Sequence, residues 1–162
     1  MKKIISIALC LILFLGSLFL NVSATNEDFA PYLVDFVLTT EMNGSPINAD
    51  ESRASGLIHA YSLSLAKSGT TLYIGGQTLC SSEVVKCGFK NLTIQRRKTS
   101  SDSWVDYYEF GNVYAEAIAA NLSTTLVVES GYQYRISCKH YAKKNILSVE
   151  TIANTSNIVT VS

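Results

Sequence analysis

Beyond residue 56 the chain alternates apolar and polar positions with a period of two, and turn-forming residues interrupt the alternation at short intervals. Residues 57–65 put Leu57, His59, Tyr61, Leu63 and Leu65 on one face. Lys67-Ser68-Gly69 turns the chain into 70–78, where Leu72 and Ile74 share a face. A connection containing Cys, Ser and Glu leads to 91–97, with Leu92 and Ile94 on one side. Residues 99–103 read as a polar hairpin turn before a strand over 104–110, and a further strand covers 122–129. After Ser130-Gly131, residues 132–141 set Tyr132, Tyr134, Ile136 and Cys138 against Gln133, Arg135, Ser137 and Lys139. Short strands at 146–152 and 158–161 close the series, and the alanine-rich 114–120 reads as a helical turn. About seven short strands with no long amphipathic helix predict an all-β antiparallel sandwich over residues 56–162.

The first 24 residues follow another rule. Lys2 and Lys3 precede an almost unbroken apolar run from Ile4 to Leu20, and Val22-Ser23-Ala24 places small residues at a peptidase site. This pattern predicts a signal helix over 1–24, removed before Thr25, and with it a secreted, extracellular protein that meets a membrane only during export. An uncleaved anchor is the alternative, since about 17 apolar residues is near the lower limit for spanning a bilayer. Residues 25–55 then read as a partly disordered N-terminal extension holding both prolines, Pro31 and Pro46. Its one apolar stretch, 32–38, fits a helix or a strand equally well.

Processing changes the charge. With Lys2 and Lys3 gone, the thirteen Lys and Arg fall to eleven against thirteen Asp and Glu, a formal charge of −2. That balance gives no argument for nucleic acid as a partner. Three cysteines remain, Cys80, Cys87 and Cys138, an odd number that allows at most one internal disulfide. In sandwich order the strand near Asn91 and the strand of Cys138 are neighbours, which makes Cys87 and Cys138 the leading disulfide candidates. Cys80–Cys87 would close only a short loop, and all three thiols reduced is the remaining option.

Two resemblances enter here. Residues 126–138, Leu-Val-Val-Glu-Ser-Gly-Tyr-Gln-Tyr-Arg-Ile-Ser-Cys, resemble the E–F region of fibronectin type III and immunoglobulin-like domains, with Tyr134 in the place of the corner tyrosine. Tyr134 lies four residues before Cys138 where the antibody-type pattern has two, and the single Trp104 falls later than that pattern's core tryptophan. The chain is also similar to small secreted Gram-positive bacterial proteins of an uncharacterised family. Cys-Gly-Phe-Lys-Asn-Leu-Thr-Ile-Gln-Arg-Arg at 87–97 and Gly-Tyr-Gln-Tyr-Arg at 131–135 carry that similarity. Together they imply an immunoglobulin/fibronectin type III-like sandwich outside the cell, and no particular activity.

The chemistry-bearing residues are sparse. Cys138 and His140 share a strand face at i and i+2, as a nucleophile and base would, but Cys138 continues an apolar alternation and reads as core, and His140 reads as a strand-end residue. Asp50, Glu51, Asp102, Asp106 and Glu109 lie in or beside polar turns, without the spacing of a calcium loop or of a marked carboxylate pair. No catalytic motif, metal site or cofactor is expected. The stronger candidate is a surface. If Leu92 and Ile94 face inward, Thr93, Gln95 and Arg97 face outward beside Gln133, Arg135, Ser137 and Lys139. Arg97, Arg135, Lys139 and Tyr108 are therefore the ligand-binding candidates, with Trp104 and Tyr107 bordering them. The expected role is a non-catalytic extracellular binding or surface-interaction module for an anionic cell-wall polymer, a glycan or another surface protein. The alternatives are a self-assembling structural protein and a small secreted hydrolase or toxin.

Overall fold

The computed structural model describes residues 29–41, 51–52 and 56–162. The signal segment 1–24 and most of the extension lie outside the described residues. Among the described residues ten strands run in chain order: β1 (Tyr32–Thr39), β2 (Glu51–Ser52), β3 (Ile58–Ser68), β4 (Thr71–Cys80), β5 (Lys86–Arg97), β6 (Val105–Ala115), β7 (Ala119–Val127), β8 (Tyr132–Asn145), β9 (Ser148–Thr155) and β10 (Val159–Val161). They form two antiparallel sheets, β1-β7-β4-β3-β2 and β10-β8-β5-β6, with β9 pairing beside β10 along the same edge of β8. The described residues are all-β, as the alternation requires, and the two sheets enclose one core.

That core is built from the inner positions of both sheets. Ile58, Leu63, Leu65, Leu72, Ile74, Leu122 and Leu126 from the first sheet meet Phe89, Leu92, Ile94, Tyr134, Ile136 and Ala142 from the second. Two polar links tie the sheets along one side, and a third holds the second sheet together there. The Glu150 carboxylate of β9 accepts the Leu57 and Ile58 amides at 2.5 and 3.0 Å. Asn157 accepts from the Leu65 amide at 3.1 Å and donates to the Leu65 carbonyl at 2.8 Å. Ser156 accepts the Ile136 amide at 2.9 Å. On the opposite side the Phe36 ring of β1 meets Phe110 of β6 at 5.8 Å.

Several local expectations change. The stretch 32–38 is a strand, β1, not a helix, and with β2 it draws part of the extension into the first sheet. The alanine-rich segment is not a helical turn: residues 116–118 are a bend between β6 and β7. His59 does not join Tyr61 on the inner face. A register shift between Ile58 and Ala60 leaves Ile58 buried and His59 exposed. The added residue resets the alternation, as β-bulges do.

Candidate functional site

The outer face of the second sheet rests on a bulge in β5. Phe89 and Leu92 are both fully buried although three residues apart, which strict alternation forbids. The register shifts between Lys90 and Thr93, Asn91 takes a left-handed φ of 52°, and its amide is capped by the Asn112 side chain at 3.0 Å. The outward set therefore switches from Lys86, Gly88 and Lys90 to Thr93, Gln95 and Arg97. All of these stand opposite outward residues of β8: Lys86 faces Lys143, Gly88 faces Tyr141, Lys90 faces Lys139, Thr93 faces Ser137, Gln95 faces Arg135 and Arg97 faces Gln133.

At one end of the face both arginines pack against one tryptophan. The Arg97 and Arg135 guanidinium carbons each lie 4.4 Å from the centre of the Trp104 ring. Trp104 sits just ahead of β6, on the hairpin whose turn is pinned by Asp102 accepting the Thr99 amide at 2.7 Å and hydroxyl at 2.9 Å. Each arginine is oriented by its cross-strand glutamine: Arg97 Nε donates to Gln133 at 2.8 Å and Arg135 Nε to Gln95 at 2.9 Å. Gln95 in turn donates to Asp106 at 2.8 Å, and Arg97 also donates to the Ser100 carbonyl at 3.0 Å. Among the described residues the terminal nitrogens of Arg135 make no hydrogen bond. Partial burial, and then repulsion from Arg97, hold the Arg135 guanidinium below its ordinary pKa. The two cations are thus fixed near each other, and among the described residues neither is ion-paired. Asp106 does bond the glutamine that holds Arg135, and Asp102 is held below its ordinary pKa by its bonds from Thr99 and, in part, by Arg97. An anion is the chemical species that would relieve this arrangement.

The positive charge continues along the strands. Lys90 and Lys139 are direct cross-strand partners and both exposed, a pairing of like charges that costs stability. Farther on, Tyr114 and Tyr141 stack at 4.7 Å over Gly88, with Lys86 5.3 Å from the Tyr114 ring and ion-paired to Glu116 at 2.8 Å. Arg135, Lys139 and Lys143 recur every four residues of β8, a cation about every 13 Å.

Three of the four ligand-binding candidates therefore share one face, and Tyr108 does not. Tyr108 stands opposite buried Ile94, on the inner side of β6, with its ring edge-on to Phe110 at 4.9 Å. Tyr107 is likewise turned toward the core, 5.5 Å from the Tyr134 ring. Arg96 also turns inward: it lies 4.3 Å from both the Tyr107 and Tyr132 rings and pairs with Glu129 at 2.6 Å. Lys86 and Lys90 were missed by a reading that began the strand at Asn91. The signal available was the three-residue spacing of Phe89 and Leu92.

The pairing of Cys87 with Cys138 does not form. Cys87 stands opposite Ala142, four residues along β8 from Cys138, or about 13 Å away. A disulfide needs its Cα atoms within about 7 Å. All three cysteines are buried free thiols, and burial pushes the Cys138 thiol up to about 12. His140 shares the inner face with Cys138. Its Nδ1 lies 2.8 Å from the Thr78 hydroxyl, and its ring is held between Tyr61 and Phe89 at 4.9 and 5.4 Å. Among the described residues no group of His, Cys, Asp or Glu is arranged to hold a metal ion. Comparison with protein families, curated proteins and solved structures returned no match to this chain.

Proposed function

We propose that the protein is a secreted, non-catalytic binding module whose second sheet captures an anionic cell-surface polymer along its outer face. The Arg97–Trp104–Arg135 cluster carries this reading. Its guanidinium groups are locked by glutamines and an indole before any ligand arrives, so binding need not order them, which is the main cost of using flexible cations. Both guanidinium groups already pack on the Trp104 ring, so the paired cations and not the indole are the groups offered to a ligand, which favours an anion. Lys139 and Lys90 extend the face for a linear polymer. Replacing Arg97, Arg135 and Lys139 by Ser should weaken retention on purified Gram-positive cell walls roughly 10–100-fold, each exposed contact contributing on the order of 0.5–1 kcal/mol. Unchanged retention would reject the reading.

The sandwich itself is proposed to be of the immunoglobulin/fibronectin type III kind. Two observations support that. Strands β3-β4-β7 oppose β6-β5-β8 with β9 and β10 beyond, so the chain crosses between sheets at β4–β5, β6–β7 and β7–β8. The Tyr134 hydroxyl, at the start of β8, donates to the Glu129 carbonyl at 2.6 Å, which is the geometry of a tyrosine corner.

Self-assembly is a second reading, and β1 favours it. Among the described residues this edge strand pairs only with β7; it contains neither Lys nor Pro, and it exposes Tyr32, Leu33, Val34, Phe36 and Val37. Edges are ordinarily blunted by such residues; the proposed occupant of this one is β1 of a second copy.

A further inference from the structure

We propose that Cys80 and Cys87 form a disulfide site, joining the two sheets at the β4–β5 crossover when the protein meets a disulfide oxidant, and that Cys138 remains a lone thiol. Cys80 is the last residue of β4 in the first sheet, and Cys87 is the second residue of β5 in the other. The backbone brings the two together. The Thr78 hydroxyl donates to the Gly88 carbonyl at 3.1 Å, bolting β4 to β5 within two residues of both cysteines. The Cys80 amide donates to the Ile118 carbonyl at 2.9 Å, while Cys87 stands opposite Ala115, so the same β6–β7 connection flanks both. Between them the chain doubles back, with the Val84 amide bonded to the Ser81 carbonyl at 3.1 Å and the Val85 amide to the Lys143 carbonyl at 2.9 Å. The two side chains belong to one buried cluster, and each thiol is close enough to act on the ionisation of the other.

The pair is also chemically asymmetric. The Cys87 neighbour, together with burial, pushes the Cys80 thiol up, and the Cys80 neighbour pulls Cys87 down. Cys87 attacks first in one order of events, and the reverse order gives the same product. In the first order the Cys87 thiolate attacks one sulfur of a small disulfide such as oxidised glutathione, breaking that S–S bond and releasing one glutathione thiol. Cys80, losing its proton, then attacks the Cys87 sulfur of the mixed disulfide and releases the second thiol. Two cysteine S–H bonds are lost and one S–S bond is formed. The protein gives two electrons and two protons to the oxidant. Both sulfurs are buried, so the exchange belongs to folding or to local opening of the 81–85 connection.

The test is equilibration of the purified protein with excess oxidised glutathione, then alkylation in denaturant and tryptic digestion. Cleavage after Lys67, Lys86 and Lys90 puts the two cysteines in separate peptides. The expected product is residues 68–86 linked to 87–90, released by reductant, with Cys138 alkylated. The link should persist in Cys138→Ser and vanish in Cys80→Ser. The melting temperature should rise by roughly 8 °C over the reduced protein. Alkylation of all three thiols, a stable glutathione adduct, a link to Cys138 or a covalent dimer would each overturn the proposal.

Discussion

Single side chains fix how the two sheets meet. The Tyr134 hydroxyl spans the turn between β7 and β8, and removing it leaves the Glu129 carbonyl short of a donor. Tyr134→Phe should therefore lower stability by about 1–2 kcal/mol, seen in urea as a lower midpoint at an unchanged slope. Gly88 is more demanding. It holds a φ of 147°, and an added Cβ would lie 2.2 Å from the Val113 carbonyl oxygen and 2.9 Å from the Tyr114 Cα. Gly88→Ala should cost roughly 2–4 kcal/mol in thermal unfolding, because backbone and not a flexible side chain must give way. Cys138 sets an alkaline limit. Its thiol titrates at about 12 in the fold against an ordinary 9.0. The unfolded chain thus loses that proton first, so the contribution is whole below pH 9 and disappears as the pH rises toward 12. The loss is on the order of a few kcal/mol. Unfolding free energies measured across that range should fall in wild type and fall less in Cys138→Ala. Tyr134 was marked out in the sequence by its place before alternating apolar residues, whereas the strain at Gly88 was not, since it arises from the neighbouring strand β6.

At the scale of elements, period-two alternation was a sound guide wherever a strand keeps its phase. Along β8 the outward Gln133, Arg135, Ser137 and Lys139 alternate with inward Tyr134, Ile136, Cys138 and His140 without interruption. The sequence reading failed where a strand adds a residue. The shift at His59 exposed a histidine expected inside. The shifts in the β5–β6 ladder turned Tyr108 inward and left Asp106 outward. Bulges depend on what the partner strand demands, and so they are faint in one strand's own pattern. β1 was ambiguous for a different reason: it is apolar on both faces, and periodicity cannot separate such a stretch from a helix. That same two-sided apolar character is the basis for self-association. Sedimentation velocity should show the protein associating as concentration rises, and Val34→Lys with Val37→Lys should leave it monomeric. Wild-type protein that sediments as a monomer throughout would remove the assembly reading.

Taken whole, the molecule gathers six Lys and Arg on the outer surface of β5 and β8, beside the outward Asp106 and Glu109 of β6, in a chain whose formal charge is zero. Arg97 and Arg135 at one end, Lys90 and Lys139 in the middle, and Lys86 and Lys143 at the other share the outer surface of β5 and β8. Part of this was legible, because adjacency of the two strands follows from sandwich order and their outward residues from alternation. The packing of both arginines on Trp104 was not, since it requires the β5–β6 hairpin to fold back over both arginines. Binding through such a face should weaken as salt screens it. The most direct test of the account is the affinity of the purified protein for Gram-positive cell walls at low and high salt, beside the Arg97→Ser, Arg135→Ser, Lys139→Ser triple variant of equal stability. A basic docking face requires wild-type binding that falls with salt and a triple variant that binds poorly at both. Equal binding by the two proteins, or wild-type binding indifferent to salt, would contradict it.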